Sequence, residues 1–443
     1  MQFLTSPIEK KTLEITDLSD PKLTQQEICV TGAVHTIRDM GTVAFIILRK
    51  RDGLLQCVYE ESEAQFSLKD VREADTVKAW GIPAASEKAP GGVEIRLKRI
   101  TVLSRAAAPL PIPIAKAKMN VSLETSLDLR PISLRNIRER ARFRIQEGVV
   151  RGFREYLREQ GFTEIHTPKI GARGAEGGAN IFRLDYFHRP AVLAQSPQFY
   201  KQMMVGVFDR VFETAPVFRA EKHNTKRHLN EYTSLDLEMG YIDGFEDVMA
   251  METGVLGRIM EILKRDYDRE LSLLGITLPD VSRIPCVRFD EAKRLASEKY
   301  GRPIRSPYDL EPEEEALIGR YFQEEYGSDF VFVTHYPGKK RPFYAMDDPA
   351  DPRYTLSFDC LYRGMEITTG GQRIHDYQML LEKLERRGMS TEGMEHYLAA
   401  FRYGLPPHGG LGIGLERLTM QLVGDDNVRR TTLFPRDMSR LEP

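Results

Sequence analysis

Short apolar, β-branched runs broken by turn residues occupy residues 28–105 of the chain. The stretch ICVTGAVHTIRDMGTVAFIILRKRDGLLQCVYE is interrupted at Gly41 and at Asp52-Gly53, a dipeptide typical of hairpins. A helix is predicted near 61–74, after which VKAWGIPA and GVEIRLKRITVLSR supply two further strands. Five short strands favour an OB-type barrel, which binds single-stranded nucleic acid, but the pattern fits any small β-barrel as well.

A proline-rich segment, AAAPLPIPIAK, follows the barrel and marks a domain boundary. Its three prolines within five residues disfavour a helix and favour an extended connector. The chain is therefore predicted to consist of a barrel domain over 1–105, a linker over 106–135 and a larger domain over 136–443.

The larger domain combines helical periodicity with paired strands. The stretch LRNIRERARFRIQEGVVRGFREYLREQGF has apolar residues at helical intervals and ends at Gly161, a suitable C-cap. Strand-like runs such as RVFETAPVFRAE, YTSLDLEMGYI, SFDCLYRGMEITTGG and GLGIGL alternate with helical stretches over 245–275 and 376–402. Because the strands come in adjacent pairs, they predict an antiparallel sheet flanked by helices, and an α+β fold for the whole chain.

Composition is typical of a large globular protein and argues against export. Hydrophobic residues make up 41% and charged residues 29% of the 443 positions, enough for two or three domains. The start lacks an apolar core with a basic lead, and no run of eighteen apolar residues occurs, so we expect a cytoplasmic protein without a membrane segment. The four cysteines have no CxxC spacing, which argues against a disulfide framework and a structural zinc site.

Any contact with nucleic acid must be local, because the net charge is only −2. One cationic stretch precedes Gly161 and consists of Arg135, Arg138, Arg140, Arg142, Arg144, Arg151, Arg154 and Arg158. These arginines are interleaved with glutamates at helical spacing. A solvated helix face with i,i+4 ion pairs is therefore favoured over a track for phosphates.

A charged strand pair in the larger domain suits a triphosphate. In FRAEKHNTKRHLNEYTSLDLEMGY, Arg219 and Glu221 end one strand, and Arg227 and His228 lie in the loop that follows. An arginine there would neutralise charge during phosphoryl or adenylyl transfer, although a solvent-exposed hairpin would explain the same residues. Neither GxGxxG nor GxxxxGK[ST] occurs, so a nucleotide would not be held by a Rossmann or P-loop cradle.

Three further clusters carry candidate chemistry. Asp359 and Glu366 lie on strands predicted to pair, and two carboxylates near a nucleotide are ligands that Mg²⁺ prefers. The segment GGLGIGLERLTM places four glycines within six residues before Arg417, giving a flat strand against which adenine or phosphate would fit. The glycine loop AEGGAN precedes QSPQFYKQ, in which Gln198 and Lys201 lie one helical turn apart.

Taken in order, these motifs resemble those of class II aminoacyl-tRNA synthetases. FTEIHTPKI resembles the first signature motif, whose Pro168 would lie at a dimer interface, while FRAEKHNTKRHLNEYTSLDLEM and GLGIGLERL resemble the second and third. QSPQFYKQ, RPFYAM, SFDCLYRGMEITTGGQRIHDY, YGLPPHGG and LFPRD are similar to segments of aspartyl-tRNA synthetases of the archaeal and eukaryotic type. The resemblance runs from about Cys29 to the C-terminus and includes the barrel.

The resemblance implies residues that bind ATP and Mg²⁺. The implied ATP-binding residues are Arg219, Glu221, Arg227, His228, Tyr232, Glu366, Gly414 and Arg417. Among them Arg219 and Arg417 would be catalytic and hold the α- and γ-phosphates, and Tyr232 would stack on adenine. Mg²⁺ would be held by Asp359, Glu366 and Thr369. Where the family usually has Ser-Ser, this chain has Thr368-Thr369, which keeps a hydroxyl.

The resemblance also implies a pocket for aspartate, formed by Glu176, Gln198, Lys201, Asp236, Thr369 and Arg373. Lys201 and Arg373 would pair with the side-chain carboxylate of the substrate. Two cations around a small carboxylate reject a neutral amide, because the amide would leave buried charges uncompensated. The alternative interpretation of Lys201 is a surface lysine on a helix.

Five barrel residues bear on the choice of tRNA. Arg38, Phe45 and Gln56 match positions that family members use to read anticodon bases, with Phe45 as a stacking platform, although the sequence by itself favours a core position for Phe45. Family forms that charge both tRNA(Asp) and tRNA(Asn) tend to have the equivalents of His35 and Pro90, and restricted forms tend to have Trp and Lys. We therefore predict a non-discriminating enzyme that makes Asp-tRNA(Asn) for a separate amidotransferase.

The implied reaction is activation of L-aspartate by in-line attack on ATP, followed by transfer to tRNA(Asp) and tRNA(Asn), without a protein nucleophile. The implied assembly is a homodimer. An asparaginyl-tRNA synthetase is a rival that Lys201 contradicts, and an amidating ligase that makes free asparagine would have no use for the barrel. A third rival, a non-catalytic tRNA-binding or regulatory paralogue, is disfavoured by the presence of Arg219, Asp359, Glu366 and Arg417.

Overall fold

The chain folds as two units with separate apolar cores. The computed structural model describes residues 12–175, 180–222 and 225–442. Tertiary contacts divide the chain into Met1–Arg140 and Ala141–Pro443, and each unit buries its own cluster of apolar side chains. Within the described residues, every helix is too short or too polar to cross a membrane.

A closed barrel forms the body of the first unit, as the sequence predicts. Its strands are β1 (Ile28–Asp39), β2 (Val43–Arg49), β3 (Leu54–Glu60), β4 (Thr76–Ala85) and β5 (Val93–Ser104). They are joined edge to edge in the order β1, β2, β3, β5, β4. Alternate residues of β2, among them Ala44, Ile46 and Leu48, point inward and are fully buried.

The prediction of a helix near 61–74 is wrong. That segment contains only a short 3-10 helix, Leu68–Asp70, with backbone bonds from Asp70 N to Ser67 O and from Val71 N to Leu68 O. Phe66, Leu68 and Val71 all pack against the barrel core. The segment therefore covers the barrel core with these three apolar side chains and does not need an α-helix to do so.

Two short helices, α1 (Leu123–Asp128) and α2 (Arg130–Ser133), lie within the segment predicted to be a linker. α1 begins where the Ser122 hydroxyl accepts a hydrogen bond from the Thr125 amide at 3.1 Å, an ordinary N-cap. The residues between β5 and α1, which include the three prolines, form neither helix nor strand.

Strands of the second unit form two sheets. They are β6 (Thr163–Glu164), β7 (Ile170–Gly171), β8 (Arg183–Tyr186), β9 (Arg189–Leu193), β10 (Arg210–Phe218), β11 (Glu231–Gly240), β12 (Cys286–Arg288), β13 (Phe330–Thr334), β14 (Ser357–Tyr362), β15 (Met365–Gln372) and β16 (His408–Gly414). The large sheet has the order β12, β13, β14, β15, β16, β11, β10, β6, and the small one the order β7, β9, β8. The large sheet is antiparallel at its centre, as predicted, but its outermost pairs, β12 with β13 and β10 with β6, are parallel.

Helices surround the large sheet. They are α3 (Ile137–Glu159), α4 (Gln198–Phe208), α5 (Phe245–Asp266), α6 (Asp268–Leu274), α7 (Phe289–Tyr300), α8 (Pro312–Tyr326), α9 (Tyr377–Arg386), α10 (Glu395–Arg402) and α11 (Leu415–Val423). α3 ends as predicted, since Gly161 just beyond it has a φ of 78°. Its arginines form ion pairs, among them Arg151 with Glu155 one turn away, as the spacing predicts.

The two faces of the large sheet differ in polarity. On β11, Leu235 and Leu237 enter the core that contains much of α3 and α5, whereas Asp236 and Glu238 point to the opposite face. On β14, Phe358 and Cys360 join that core, whereas Asp359 points away from it. The two-residue period of the strands thus gathers charged side chains on one face.

The contact between α3 and α5 depends on a glycine. A Cβ on Gly152 would lie 2.8 Å from the Cα of Ile259. Because this atom belongs to the backbone of α5, the helix itself would have to shift. We expect Gly152→Ala to destabilise the second unit by about 1–3 kcal/mol through overpacking. Gly257→Ala is the matched control, because a Cβ there meets nothing within 4 Å and should stabilise α5 by up to about 1 kcal/mol. Thermal melts followed by far-UV circular dichroism measure both, and equal melts would contradict the expectation.

Candidate active site

A cavity of about 1330 Å³ opens on the polar face of the large sheet. Its walls come from α4, the β10–β11 hairpin, β15, β16 and the segment between β13 and β14. Most of the residues proposed from sequence for ATP and aspartate line it: Gln198, Lys201, Arg219, Glu221, Arg227, His228, Tyr232, Asp236, Glu366, Thr369, Arg373, Gly414 and Arg417. Glu176, also proposed for aspartate, lies outside the described residues.

Lys201 is a buried lysine and not the surface residue of the alternative interpretation. Only 2% of its surface is exposed. Its Nζ donates to Asp236 Oδ1 at 2.9 Å and to the Leu411 carbonyl at 2.9 Å, and lies 3.3 Å from Glu238 Oε2. Burial of a lysine requires such partners.

Glu238 joins the two cations at the base of the cavity. Its Oε1 accepts from Arg373 Nε at 2.9 Å, while its Oε2 faces Lys201. Burial opposes ionisation, but Arg373 and Lys201 outweigh it and hold the pKa of Glu238 below its usual range. No binding or catalytic role was predicted for Glu238 from the sequence. The structure makes it the carboxylate that fixes both cations.

Glycines on β16 make room for these charges. A Cβ on Gly410 would lie 2.1 Å from Glu238 Oε2, and one on Gly412 would lie 3.1 Å from Asp236 Oδ1. The flat strand was expected to receive adenine or phosphate. At these two positions its missing side chains instead accommodate the buried carboxylates of β11.

A neutral histidine supports the base of the cavity. His408 Nδ1 lies 2.9 Å from the Pro406 carbonyl and must donate to it, so its Nε2 accepts from Gln202 Nε2 at 2.9 Å. The Gln202 carbonyl in turn accepts from the Tyr397 hydroxyl at 2.9 Å. Burial lowers the pKa of His408, in keeping with this neutral form. The chain of bonds fixes Gln202, the neighbour of Lys201.

Arginines line the opposite end of the cavity. The Arg219 guanidinium lies 5.8 Å from the ring centre of Tyr232, and His228 Nε2 lies 3.6 Å from Glu221 Oε2. Arg417 Nη1 donates to the Glu366 carbonyl at 3.2 Å. These residues form one wall of the cavity and not an open hairpin surface, the alternative considered from sequence.

Glu315 of α8, which the sequence did not indicate, contacts two residues of this wall, Arg227 and Glu366. Its Oε2 pairs with Arg227 and accepts from the Glu366 amide at 3.4 Å. Burial, with repulsion from Glu366, raises the pKa of Glu315 to about 7 against the pull of Arg227. Its run of glutamates, EPEEEAL, is an ordinary helix start and carried no signal of a site.

Asp359 and Glu366 lie on neighbouring strands, as predicted, and their carboxylates influence each other. Burial and the charge of Glu366 raise the pKa of Asp359 against the pull of Arg341. Asp359 Oδ1 is buried and has no hydrogen-bond partner among the described residues. The Thr369 hydroxyl lies 3.5 Å from Glu366 Oε1.

Two carboxylates and a hydroxyl are hard oxygen donors. They fit a Mg²⁺ ion that takes its remaining ligands from phosphates and water. Across residues 12–175, 180–222 and 225–442, no group of three or more His, Cys, Asp and Glu side chains is arranged to hold a metal. The donor set therefore suits a cation shared with a nucleotide and not a closed protein site.

The proposed anticodon residues lie on the outside of the barrel sheet. Arg38 is exposed and pairs across β1 and β2 with Phe45, which is partly exposed and lies outside the barrel core. Gln56 is buried and donates to Glu94 Oε2 at 2.8 Å. Phe45 thus does not take the core position that the sequence favoured.

The two residues proposed to set the choice of tRNA differ in environment. His35 is 2% exposed, and Arg49 Nη1 lies 3.5 Å from its Nδ1. Pro90 is exposed and begins a 3-10 turn, Pro90–Gly92. The exposed Pro90 can contact nucleic acid directly. The buried imidazole of His35 has almost no accessible surface for such a contact.

Comparison with known proteins decides the family. Residues 122–438 match the family described as tRNA synthetases class II (D, K and N), and residues 28–103 match the OB-fold nucleic acid binding domain. The chain belongs to the class II tRNA synthetases. It is therefore an aminoacyl-tRNA ligase, as the motifs predicted.

Full-length relatives resemble this synthetase closely. The Aspartate--tRNA(Asp/Asn) ligase of Deinococcus radiodurans is 48% identical, covering 99% of this chain and 100% of the relative. The Aspartate--tRNA(Asp/Asn) ligase of Thermus thermophilus is 47% identical over 94% of this chain and 97% of the relative. The crystal structure of asparaginyl-tRNA synthetase from Pyrococcus horikoshii, complexed with asparaginyl-adenylate, has a TM-score of 0.88, 30% identity, and coverage of 98% of this chain and 100% of its own.

The buried His35 makes the stability of the barrel depend on pH. Burial and the neighbouring Arg49 lower its pKa from 6.5 to about 4, so between these values the unfolded chain binds more protons than the folded barrel. Stability is therefore lost as pH falls from 6.5 towards 4. Fluorescence of Trp80, the single tryptophan and a residue of β4, reports unfolding of the barrel.

We expect His35→Gln to reduce this dependence on pH, measured as the urea midpoint at several pH values. Substitution of His188, an exposed histidine in the second unit, serves as control and should leave the slope unchanged. Equal slopes in wild type and His35→Gln would contradict the prediction.

Proposed function

We propose that this synthetase activates L-aspartate with ATP and transfers it to tRNA(Asp) and tRNA(Asn). The observation that carries the proposal is the buried pair Lys201 and Arg373, which face one cavity and are held by Asp236 and Glu238. Two fixed cations attract a side-chain carboxylate. Asparagine has a neutral amide where aspartate offers both cations a negative charge, so the pocket favours aspartate.

Asp236 also suits the substrate ammonium. Its Oδ1 binds Lys201, whereas its buried Oδ2 has no partner among the described residues. Gln198 Nε2 is likewise buried without a partner in that part of the chain. Gln198, Asp236 and Thr369, together with Glu176, complete the aspartate pocket in this proposal. Unsatisfied buried polar atoms are expected in a site built to receive a polar ligand.

The first step is attack of the aspartate carboxylate on the α-phosphorus of ATP, which forms aspartyl-adenylate and releases pyrophosphate. Arg219 holds the α-phosphate and Arg417 the γ-phosphate, so charge is neutralised where it develops. Tyr232 stacks on adenine, while Glu221, Arg227, His228 and Gly414 position the nucleotide. Asp359 and Glu366, with Thr369, would hold Mg²⁺, which would supply further charge neutralisation when bound.

The second step is attack of the 3′-terminal tRNA hydroxyl on the adenylate, which releases AMP. No protein nucleophile takes part. Arg38, Phe45 and Gln56 read the anticodon, with Phe45 stacking on a base. Charging of tRNA(Asn) is supported by the names of the two relatives and by His35 and Pro90. Its product would then serve a separate amidotransferase.

The proposal includes a homodimer with Pro168 at its interface. It also keeps the division into a barrel over 1–105, a linker over 106–135 and a catalytic domain over 136–443. These remain predictions, and size-exclusion chromatography with light scattering tests the first of them.

Lys201→Met tests the pocket. Truncating one member of a buried charge group costs about 2–5 kcal/mol, so we expect aspartate-dependent pyrophosphate exchange to lose about 30-fold or more in kcat/KM. Lys340→Met is the control, because that lysine lines the same cavity but is half-exposed. A folded Lys201→Met protein with unchanged exchange would refute the aspartate pocket, and exchange driven by asparagine in the wild type would favour the asparaginyl rival.

Aminoacylation with radiolabelled aspartate on separate tRNA(Asp) and tRNA(Asn) transcripts tests the choice of tRNA. We expect both to be charged by the wild type and neither by Arg219→Ala. Pro90→Lys, a change at an exposed position, should lower charging of tRNA(Asn) more than charging of tRNA(Asp). Charging of tRNA(Asp) alone by the wild type would contradict the relaxed specificity.

A further inference from the structure

Arg341 holds the carboxylate to which the proposed function assigns the metal. It lies between β13 and β14, and its Nη2 is 2.8 Å from Asp359 Oδ2. The side chains of Arg341 and Asp359 are only 9% and 7% exposed. The guanidinium also lies 3.9 Å from the ring centre of Tyr336. No role was given to Arg341 from sequence, although it begins the motif RPFYAM.

The ion pair between Arg341 and Asp359 compensates the negative charge of a buried carboxylate. Asp359 and Glu366 carry like charges on the paired strands β14 and β15, and the Asp359 side chain is only 7% exposed. A carboxylate as buried as Asp359 needs a cation nearby, and Arg341 supplies one from the protein itself. Asp359 Oδ2 therefore forms an ion pair with Arg341, whereas the buried Oδ1 has no hydrogen-bond partner among the described residues.

A divalent cation and Arg341 compete for the same negative charge. Mg²⁺ on Asp359 and Glu366 would lie next to the guanidinium that already pairs with Asp359, and like charges so close repel strongly where Arg341 and Asp359 are buried. Arg341 Nε and Nη2 both lack a hydrogen-bond partner among the described residues, so Nη2 contacts Asp359 as an ion pair only, and the side chain lines the cavity. A nearby triphosphate would offer it acceptors in exchange for Asp359.

The backbone around Arg341 is anchored, so the exchange needs only side-chain motion. The Gly338 amide donates to the Arg353 carbonyl at 2.9 Å, and Arg387 Nη2 donates to the Gly338 carbonyl at 2.7 Å. On the other side, Lys383 Nζ donates to the Ala345 carbonyl at 2.6 Å. An arginine on such a segment can swing between neighbouring acceptors while the loop stays in place.

We propose that Arg341 is the resident counter-cation of Asp359 and is displaced when metal and nucleotide bind together. Arg341 then turns from Asp359 to the phosphates. The free enzyme therefore binds divalent cations weakly, and the metal enters with ATP. This inference rests on the proposed function, which assigns the metal to Asp359 and Glu366.

Mn²⁺ binding to the nucleotide-free enzyme, measured by electron paramagnetic resonance, tests the exchange. We expect Arg341→Met to bind Mn²⁺ at least tenfold more tightly than wild type, because the competing charge is gone. Arg353→Met is the matched control, since that arginine lines the same cavity, is 81% exposed and pairs with Asp351 instead. With a saturating non-hydrolysable ATP analogue, the difference between Arg341→Met and wild type should shrink.

Equal or weaker Mn²⁺ binding by folded Arg341→Met would overturn the proposal, and weaker binding would show that Arg341 orients Asp359 for the metal. Arg341→Lys keeps the charge and should bind Mn²⁺ as wild type does. Arg341→Gln carries the test if the methionine variant fails to fold, as judged by circular dichroism.

Asp359→Asn distinguishes a failure of the Arg341 exchange from a failure of the proposed function, which assigns the metal to Asp359. If Mn²⁺ binding in the presence of the ATP analogue survives Asp359→Asn unchanged, the assignment of the metal in the proposed function fails. If Asp359→Asn abolishes binding and Arg341→Met does not tighten it, only the exchange fails.

Discussion

The pairing of buried opposite charges is the constraint on which the active-site cavity depends. Glu238 is fully buried and tolerable only because Lys201 and Arg373 flank it, and those cations are tolerable only because carboxylates hold them. The same logic recurs between Arg341 and Asp359 and between Arg227 and Glu315. The contacts of Lys201, Arg373, Asp236 and Glu238 hold these side chains in place before substrate binds, which favours discrimination between ligands of similar shape.

The sheet supplies the geometry for this pairing. Along β11, leucines alternate with carboxylates, so the leucines lie in the core and the carboxylates face the cavity. The neighbouring strand β16 has glycines at the positions where these carboxylates need space. The glycines of GGLGIG are therefore a packing requirement of the neighbouring strand as much as a feature of a nucleotide site. Fold and chemistry are specified by the same residues here, so substitutions on β16 would disturb both.

Much of this was predictable because local motifs carry it. Lys201, Arg219, Arg373 and Arg417 stand in short signatures, and the strand pairs were visible in their apolar patterns. Arg341 and Glu315 were missed because their partners are distant in sequence, and pairing over such separations leaves no local trace. The absence of a helix near 61–74 was missed for a related reason, because the packing of Phe66, Leu68 and Val71 on the barrel core decides it.

The neutral His408 carries a consequence for the response of the cavity to acid. Adding a proton to its Nε2 would break the bond from Gln202 and release the amide that Tyr397 also holds. The fold therefore opposes protonation of His408, which lies near Glu238 and Arg373. Moderate acidification would therefore leave the hydrogen bonds among His408, Gln202 and Tyr397 intact, and Lys201, the neighbour of Gln202, would keep its place in the cavity.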